Sequence, residues 1–160
     1  MKEYNLTVPM RAYKWDELSP EQQEILSIAK EQTKHSYCPY SQFHVGAAAK
    51  LGNGVIMRGC NQENAAYPSG LCAERTALFA AGAQYPDQPV TMLGIACYTD
   101  GHFTKEPGSP CGACRQVMLE TEHRYGGKME VLLYGDDVIY VFDSAADLLP
   151  LIFVSENLKG

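Results

Sequence analysis

The sequence predicts one α/β domain, a three-layer sandwich built around a mixed sheet of five strands. Three observations support this fold class. The chain has 160 residues, a length that suits one domain with a single substantial core. Stretches with apolar residues at helical spacing alternate with short β-branched and aliphatic runs, as in layered α/β folds. No internal repeat or low-complexity tract interrupts this order.

The first half of the chain predicts an arm, a helix and a hairpin. The first 18 residues show no clear periodicity, so we expect an N-terminal arm there and one domain over residues 19–160. Ser19 can cap a helix, Pro20 suits its first position, and Gln22 can complete a capping box. The predicted elements are an arm (1–18), a helix (19–34), a loop (37–41), and strands 43–51 and 55–57 about the turn 52–54.

The second half predicts three further strands and three helices. The loops between them are rich in Gly, Pro, Asn and Ser, which favour turns. Two of the helices begin at cysteines. The predicted elements are a helix (72–81), a strand (90–98), a helix (111–123), strands 129–134 and 138–142, and a short helix (145–149).

Composition and charge exclude several classes of protein. Acidic residues outnumber basic ones by 19 to 13, and no run of three basic residues occurs, so we expect no nucleic-acid partner. The N-terminus lacks the apolar core of a signal peptide, and no apolar stretch approaches the roughly 18 residues of a membrane span. We therefore expect a cytoplasmic protein with no membrane partner.

The cysteines point to a metal site. A reducing compartment does not favour disulfides, and clustered cysteines there more often bind metal or take part in chemistry. Cys111 and Cys114 lie one helical turn apart, so both thiolates can reach one ion, and Cys72 would be brought in by the fold. Three protein ligands leave one coordination position open, as catalytic zinc requires. The sequence thus predicts one Zn²⁺ per chain.

Other interpretations of the same cysteines remain open at this stage. The pair Cys111–Cys114 also suits a thioredoxin-like redox site, and thiolates can hold an iron–sulfur cluster. A structural zinc module or a non-catalytic binding protein is a further alternative. Glu74, two residues after Cys72, favours a catalytic site instead. The other three cysteines are interpreted as small buried hydrophobes: Cys38, Cys60 and Cys97.

Two arginines accompany the cysteines. Three thiolates on Zn²⁺ leave a net negative charge, which weakens the metal as a Lewis acid. Arg75 directly follows Glu74, and Arg115 directly follows Cys114. Either guanidinium could hydrogen-bond the sulfurs and offset that charge from outside the ligand set.

The order of these motifs resembles a known family. Zinc deaminases carry a first ligand, a Glu two residues later that is not a ligand, and then P-C-x-x-C. Here the segment N-x-E-N-A-A-Y-P-x-G-x-C-A-E-R-T-A covers residues 61–77, P-C-G-A-C follows at 110–114, and Y-C-P-Y-S-Q-F-H-V-G-A-A precedes at 37–48. Together they closely resemble the small homotetrameric cytidine deaminases over about residues 20–157.

The resemblance implies a cytidine deaminase-like fold, an activity and a role for each motif residue. The activity would be deamination of free cytidine and deoxycytidine to the uracil nucleosides and ammonia, in pyrimidine salvage by a homotetramer. The implied roles are zinc binding, with water as fourth ligand, by Cys72, Cys111 and Cys114; proton transfer by Glu74; ribose binding by Asn61 and Glu63; base contacts from Phe43 and the Ala73 amide; and subunit-boundary contacts from Tyr67 and Phe153, the latter reaching a neighbour's pocket.

Alternatives remain for the substrate and for single residues. A relative of the same superfamily could act on another aminated nucleoside or base. Asn61 could be a turn residue, Glu63 could be solvated, and Phe43 or Phe153 could belong to the core. The histidines show no ligand spacing with the cysteines and are interpreted as surface or core residues: His35, His44, His102 and His123.

Overall fold

A mixed sheet of seven strands lies at the centre of the computed structural model, which describes residues 1–159. The order is β1-β7-β6-β4-β2-β3, with β5 paired to the end of β4. The pair β4–β6 is parallel, and every other pairing is antiparallel. The strands are β1 (Arg11–Tyr13), β2 (His44–Leu51), β3 (Ile56–Cys60), β4 (Val90–Thr99), β5 (His102–Phe103), β6 (Glu130–Tyr134) and β7 (Ile139–Phe142).

Three α-helices cover the two faces of the sheet. α1 (Pro20–Gln32) lies on one face, and α2 (Ala73–Gln84) and α3 (Gly112–Tyr125) lie on the other. Across residues 1–159, no helix is both long and apolar enough to cross a bilayer. Short 3₁₀ turns complete the chain at Trp15–Glu17, Thr33–His35, Tyr67–Ser69, Ala145–Leu148 and Ser155–Leu158.

Strand alternation divides the core into two clusters. Successive strand residues point to opposite faces of the sheet, so Ala47 and Ala49 join the cluster under α2 and α3, whereas Ala48 joins the cluster under α1. In β6, Leu133 and Leu132 divide in the same way. Small alanines in the inner strand β2 allow helices to approach from both sides, which produces the three layers.

The predicted fold class is confirmed, but the sheet has seven strands rather than five. The two additional strands are β1 and β5, with three and two residues. Such short segments cannot show a periodic pattern, and β1 lies within the predicted arm, where it pairs with the edge of β7. The predicted last helix is a single 3₁₀ turn, Ala145–Leu148.

Local signals place the start of α1 correctly. The Gln22 amide donates to the Ser19 hydroxyl at 3.2 Å, and the Ser19 amide donates to the Gln22 side chain at 3.0 Å. This is the predicted capping box, with Pro20 at the first helical position.

Aromatic rings around Lys30 hold the end of the arm against the sheet. The Lys30 ammonium lies 4.1 Å from the Tyr134 ring centroid, 4.6 Å from that of Phe103 and 5.5 Å from that of Trp15. Partial burial lowers the pKa of Lys30, and Asp136 opposes that shift. Cation–π attraction and the packing of Trp15 therefore fix the arm just before α1.

Gly46 provides a test of the close packing between β2 and α1. A Cβ at this position would overlap the Ala29 carbonyl oxygen and lie 2.7 Å from the Thr33 amide nitrogen. We expect Gly46→Ala to lower the free energy of unfolding by about 3 kcal/mol, because both obstructing atoms belong to the helix backbone. Urea denaturation measures this change. Gly127→Ala is the control, since its Cβ would meet no atom within 4 Å; equal midpoints for the two variants would contradict the packing.

Candidate metal centre and active site

Two helices begin beside each other, and their first turns hold the three predicted cysteine ligands. Cys72 is the N-cap of α2, Cys111 is the N-cap of α3, and Cys114 lies in the first turn of α3. Helix N-termini present free amide groups and the positive end of the helix dipole. Thiolates are therefore stabilised here from two directions.

The spacing of the three sulfurs fits zinc. The Sγ atoms of Cys72 and Cys111 are 3.8 Å apart, those of Cys111 and Cys114 are 3.5 Å apart, and all three lie within 4.8 Å of one another. Tetrahedral zinc with Zn–S bonds of about 2.3 Å places its sulfurs about 3.8 Å apart. All six cysteines are unpaired. The donor set is thus suited to a soft divalent ion and leaves a fourth position for a non-protein ligand.

Hydrogen bonds within this cluster favour the metal-binding form of cysteine. A hydrogen bond from the Cys114 thiol, followed by one from Arg75, lowers the pKa of Cys72 to about 5 against the opposing effect of burial. The same bond to Cys72 and the burial of Cys114 raise the pKa of the Cys114 thiol. The thiolate is the form of cysteine that binds metal.

Glu74 is a buried carboxyl group beside the sulfurs. It lies in the first turn of α2, and only 4% of its surface is exposed. Burial raises its pKa, and the negative charge of Cys72 acts in the same direction, while a hydrogen bond with Cys114 opposes them. A carboxyl group with a raised pKa holds a proton more readily than an ordinary Glu, which suits general acid–base catalysis.

The structure distinguishes the two arginines. Arg75 donates from Nη2 to the Cys72 sulfur at 3.5 Å. Arg115 instead donates to the carbonyl oxygens of Pro110 and Leu148, at 2.8 and 2.9 Å. Arg75 therefore offsets thiolate charge directly, whereas Arg115 ties the loop before α3 to the end of the 3₁₀ turn Ala145–Leu148.

An open cavity of about 490 Å³ adjoins the cysteine cluster. Its walls include Cys72 and Arg75 at one end, and the predicted substrate residues Asn61, Glu63 and Tyr67 elsewhere. Glu74 and Phe43 are not among the residues that line it. The other lining residues are Tyr40, Ser41, Gln62, Asn64, Gly70 and Leu71.

Glu63 accepts two backbone hydrogen bonds that join its loop to the loop at 37–43. The same carboxylate oxygen accepts from the amides of Tyr40 and Ser41, at 2.9 and 3.2 Å. Hydrogen bonding to the Ser41 side chain, and then to the two amides, lowers the pKa of Glu63, with a smaller contribution from the charge of His44. Its second oxygen, Oε1, accepts no backbone hydrogen bond among residues 1–159 and can accept a hydrogen bond from a ligand.

Asn61 joins the same two loops through both ends of its side-chain amide. Its carbonyl oxygen accepts from the Val45 amide at 2.8 Å, and its nitrogen donates to the Phe43 carbonyl at 2.8 Å. One N–H of this nitrogen remains for a ligand. The predicted turn role and the predicted binding role of Asn61 are thus compatible.

The remaining predicted residues differ in position. The Ala73 side chain is fully buried at the start of α2. Phe43 precedes β2 and is 36% exposed. Tyr67 is 81% exposed and contacts the edge of Tyr40, with ring centroids 6.5 Å apart. Phe153 lies outside the cavity on the C-terminal segment, and its backbone carbonyl accepts a hydrogen bond from the Gln116 side chain of α3.

Two features of this site have no side-chain signal in the sequence. The amides of Tyr40 and Ser41 hold Glu63, and any residue other than proline could supply them. Gln62 aligns the cavity wall by exchanging backbone hydrogen bonds with Leu71 at 2.8 and 2.9 Å. Both contacts depend on tertiary structure.

Comparisons with known proteins agree with this site. The model of the family "Cytidine and deoxycytidylate deaminase zinc-binding region" matches residues 19–125, which contain all three cysteines and Glu74. The chain belongs to this family. The predicted family is therefore confirmed, as is the prediction of an enzyme of the deaminase class.

Individual relatives cover most of the chain. A cytidine deaminase of Halalkalibacterium halodurans is 39% identical over 140 residues, which is 88% of this chain and 92% of the relative. One of Sporosarcina psychrophila is 39% identical over 137 residues, or 86% and 94%. The crystal structure of cytidine deaminase from Burkholderia pseudomallei superposes with a TM-score of 0.68 at 40% identity, and the match covers 85% of this chain and 100% of that one.

The two arginines generate a prediction that separates folding from metal chemistry. In metal-free protein, Arg115→Ala should lower the free energy of unfolding by about 2–3 kcal/mol, because two charge-assisted hydrogen bonds to backbone carbonyls are lost. Arg75→Ala should lower it by less than about 1 kcal/mol, because Arg75 makes a single long hydrogen bond to a sulfur beside an open cavity. Chemical denaturation of both variants in chelator tests this, and a larger loss for Arg75→Ala would reverse the assignment.

Proposed function

We propose that this chain catalyses the zinc-dependent hydrolytic deamination of free cytidine and deoxycytidine to uridine and deoxyuridine, with release of ammonia. The observation that carries the proposal is the juxtaposition of three sulfurs at zinc spacing with the buried carboxyl group of Glu74, which shares the first turn of α2 with Cys72. The names of the relatives support cytidine as the substrate.

Cys72, Cys111 and Cys114 would hold one zinc ion per chain. When bound, zinc supplies Lewis acidity that brings the pKa of a coordinated water to about 7. Arg75 would temper the negative charge of the thiolates through its bond to Cys72.

Glu74 would perform both proton transfers. It would accept a proton from the attacking water and deliver it to the ring nitrogen beside C4, which makes C4 a better electrophile. The water oxygen would meanwhile bond to C4. Glu74 would then take the remaining proton from that oxygen and carry it to the amine, so that the C4–N bond breaks, ammonia leaves and the C4 carbonyl of the uracil ring forms. Burial from bulk water at the start of α2 suits a group that must keep its proton between these steps.

The cavity suits a nucleoside better than a nucleotide. The second oxygen of Glu63 can accept a hydrogen bond from the ribose 3′-hydroxyl, and the remaining N–H of Asn61 can donate one to it. Phe43 and the Ala73 amide would contact the base. Among the described residues that line the cavity, Arg75 is the one cation, and it is bound to Cys72. A 5′-phosphate in this cavity would thus find no free side-chain cation to offset its charge.

We further propose a homotetramer that works in the cytoplasm in pyrimidine salvage. Tyr67 and Phe153 are largely exposed and lie at separate places on the chain, as expected for groups that act across subunit boundaries. In this arrangement Phe153 would complete a neighbour's pocket. Six unpaired cysteines suit a reducing compartment.

Glu74→Gln tests the chemistry. We expect zinc content to stay at about one ion per chain, while kcat for cytidine falls by about 10³-fold, because the amide cannot carry the proton. Loss of cytidine absorbance in the ultraviolet measures turnover. Glu24→Gln, an exposed substitution on α1, is the control and should match the wild type.

Two results would contradict parts of this proposal. Near-normal turnover by Glu74→Gln would remove Glu74 as the proton carrier. A zinc-loaded wild type that leaves cytidine unchanged would instead redirect the substrate to another aminated nucleoside or base, the second candidate for this site.

Phe153→Ala tests the subunit arrangement. Sedimentation velocity should show a tetramer for the wild type, and Phe153→Ala should raise KM for cytidine by about tenfold as the neighbour's pocket loses an aromatic wall. Tyr4→Ala removes an exposed aromatic residue from the arm and is the control. A fully active wild-type monomer would disprove the assembly.

A further inference from the structure

His44 makes a contact at the base of the loop that carries Phe43. Its Nδ1 atom lies 2.6 Å from the Ser36 hydroxyl oxygen and 3.2 Å from the Cys38 sulfur. Cys38 is buried, with 5% of its surface exposed. The His44 ring also packs edge-on against Tyr98, with centroids 6.2 Å apart. His44 is therefore held on two sides rather than free in solvent.

The hydrogen bonds of Ser36 show which nitrogen of the His44 ring carries a proton. The Ser36 hydroxyl lies 2.8 Å from the Thr33 carbonyl oxygen, to which only a donor can bind. Since that hydroxyl has one proton, it donates to Thr33 and accepts from His44. Nδ1 of His44 thus carries a proton and donates to Ser36, with the Cys38 sulfur as a second, weaker acceptor.

The contact of His44 with Cys38 joins the two ends of the loop 38–43, and the tip of this loop binds Glu63. Cys38 and His44 stand at the two ends of the loop, and the Cys38 carbonyl accepts from the Gln42 amide at 3.1 Å. Gln42 has a φ of 56°, a conformation that a side chain-bearing residue adopts only when its surroundings enforce it. The amides of Tyr40 and Ser41 at the tip hold the Glu63 carboxylate.

We propose that His44 is a positioning residue for the sugar-binding side of the site: its bonds to Ser36 and Cys38 set the loop 38–43, which in turn orients Glu63 and Phe43. This role rests on the proposed nucleoside substrate. His44 does not line the cavity and lies on the strand side of the loop, so it acts through Glu63 and not on the reacting atoms. Its removal should therefore weaken binding and spare the chemical step.

The test compares His44→Ala with His44→Asn in full-length, zinc-loaded protein. Asn places an amide N–H near the position of Nδ1, so it can restore the bond to Ser36. Three quantities are measured: hydrogen exchange at the Tyr40 and Ser41 amides, the Kd of the product uridine by calorimetry, and KM and kcat for cytidine. His102→Ala, an exposed histidine on β5, is the matched control.

For His44→Ala we expect amide exchange to quicken about tenfold at both positions, and Kd and KM to rise about tenfold, as for loss of one hydrogen bond. The kcat should stay within about twofold of wild type. His44→Asn should recover most of the affinity. Cys38→Ala, which leaves Ser36 in place, should change the same quantities in the same direction by less.

The outcomes separate this role from the proposed function. An active wild type with unchanged amide exchange or unchanged KM in His44→Ala would overturn the role of His44. So would a fall in kcat at constant KM, or a failure of His44→Asn to improve on alanine. A zinc-loaded wild type that fails to deaminate cytidine counts against the proposed substrate, whatever the loop measurements show.

Discussion

The close approach of α2 to β3 is the constraint on which the site depends. At Gly59 a Cβ would stand 2.5 Å from the Ala73 carbonyl oxygen and 2.6 Å from the Ala77 amide nitrogen, so the helix backbone lies directly on the strand. Only a residue without a side chain permits this contact. Because Cys72 and Glu74 belong to the turn that is held in this way, a shift of α2 away from the sheet would also move them relative to the cysteines of α3.

The same constraint brings several acidic groups together, and backbone groups of the two helices offset their negative charge. Three cysteines and a carboxyl group meet in a small volume, and their repulsion would oppose folding if all were charged. Two helix N-termini supply partial positive charge there without side chains. Arg75 adds a full charge, yet its buried Nε has no hydrogen-bond partner among residues 1–159. Holding Arg75 beside the sulfur therefore leaves one buried N–H group unpaired, which lowers the free energy of unfolding.

Local chemistry explains which features were predictable from the sequence. The capping box at Ser19 involves residues three apart, and the pair Cys111–Cys114 needs only one helical turn, so both can be read from spacing. Cys72 stands 39 positions from Cys111. Its position beside that cysteine was predictable from a motif shared with a protein family, and not from residue spacing.

Contacts between distant segments explain what was missed. Arg115 reaches the Leu148 carbonyl, 33 positions away, so its neighbour Cys114 gave a misleading indication of its partner. β1 forms by pairing with β7, and β5 forms by pairing with the end of β4. Segments of three and two residues are too short for their sequences to predict such pairing. His44 shows no ligand spacing with the cysteines, and its bonds to Ser36 and Cys38 depend on how the loop returns.

The site thus divides between two kinds of structure. The sulfurs and Glu74 lie in first turns of helices packed on the sheet, where backbone hydrogen bonds and close contacts fix each atom. Asn61, Glu63 and Phe43 lie on loops, whose shape is held by hydrogen bonds from side chains to backbone and by a few backbone hydrogen bonds between separate segments. Loops open at lower free energy than packed helices, so affinity should be more sensitive than the chemical step to substitutions around the site. Substitutions in the loop residues can therefore change affinity while the geometry of the cysteine cluster is kept.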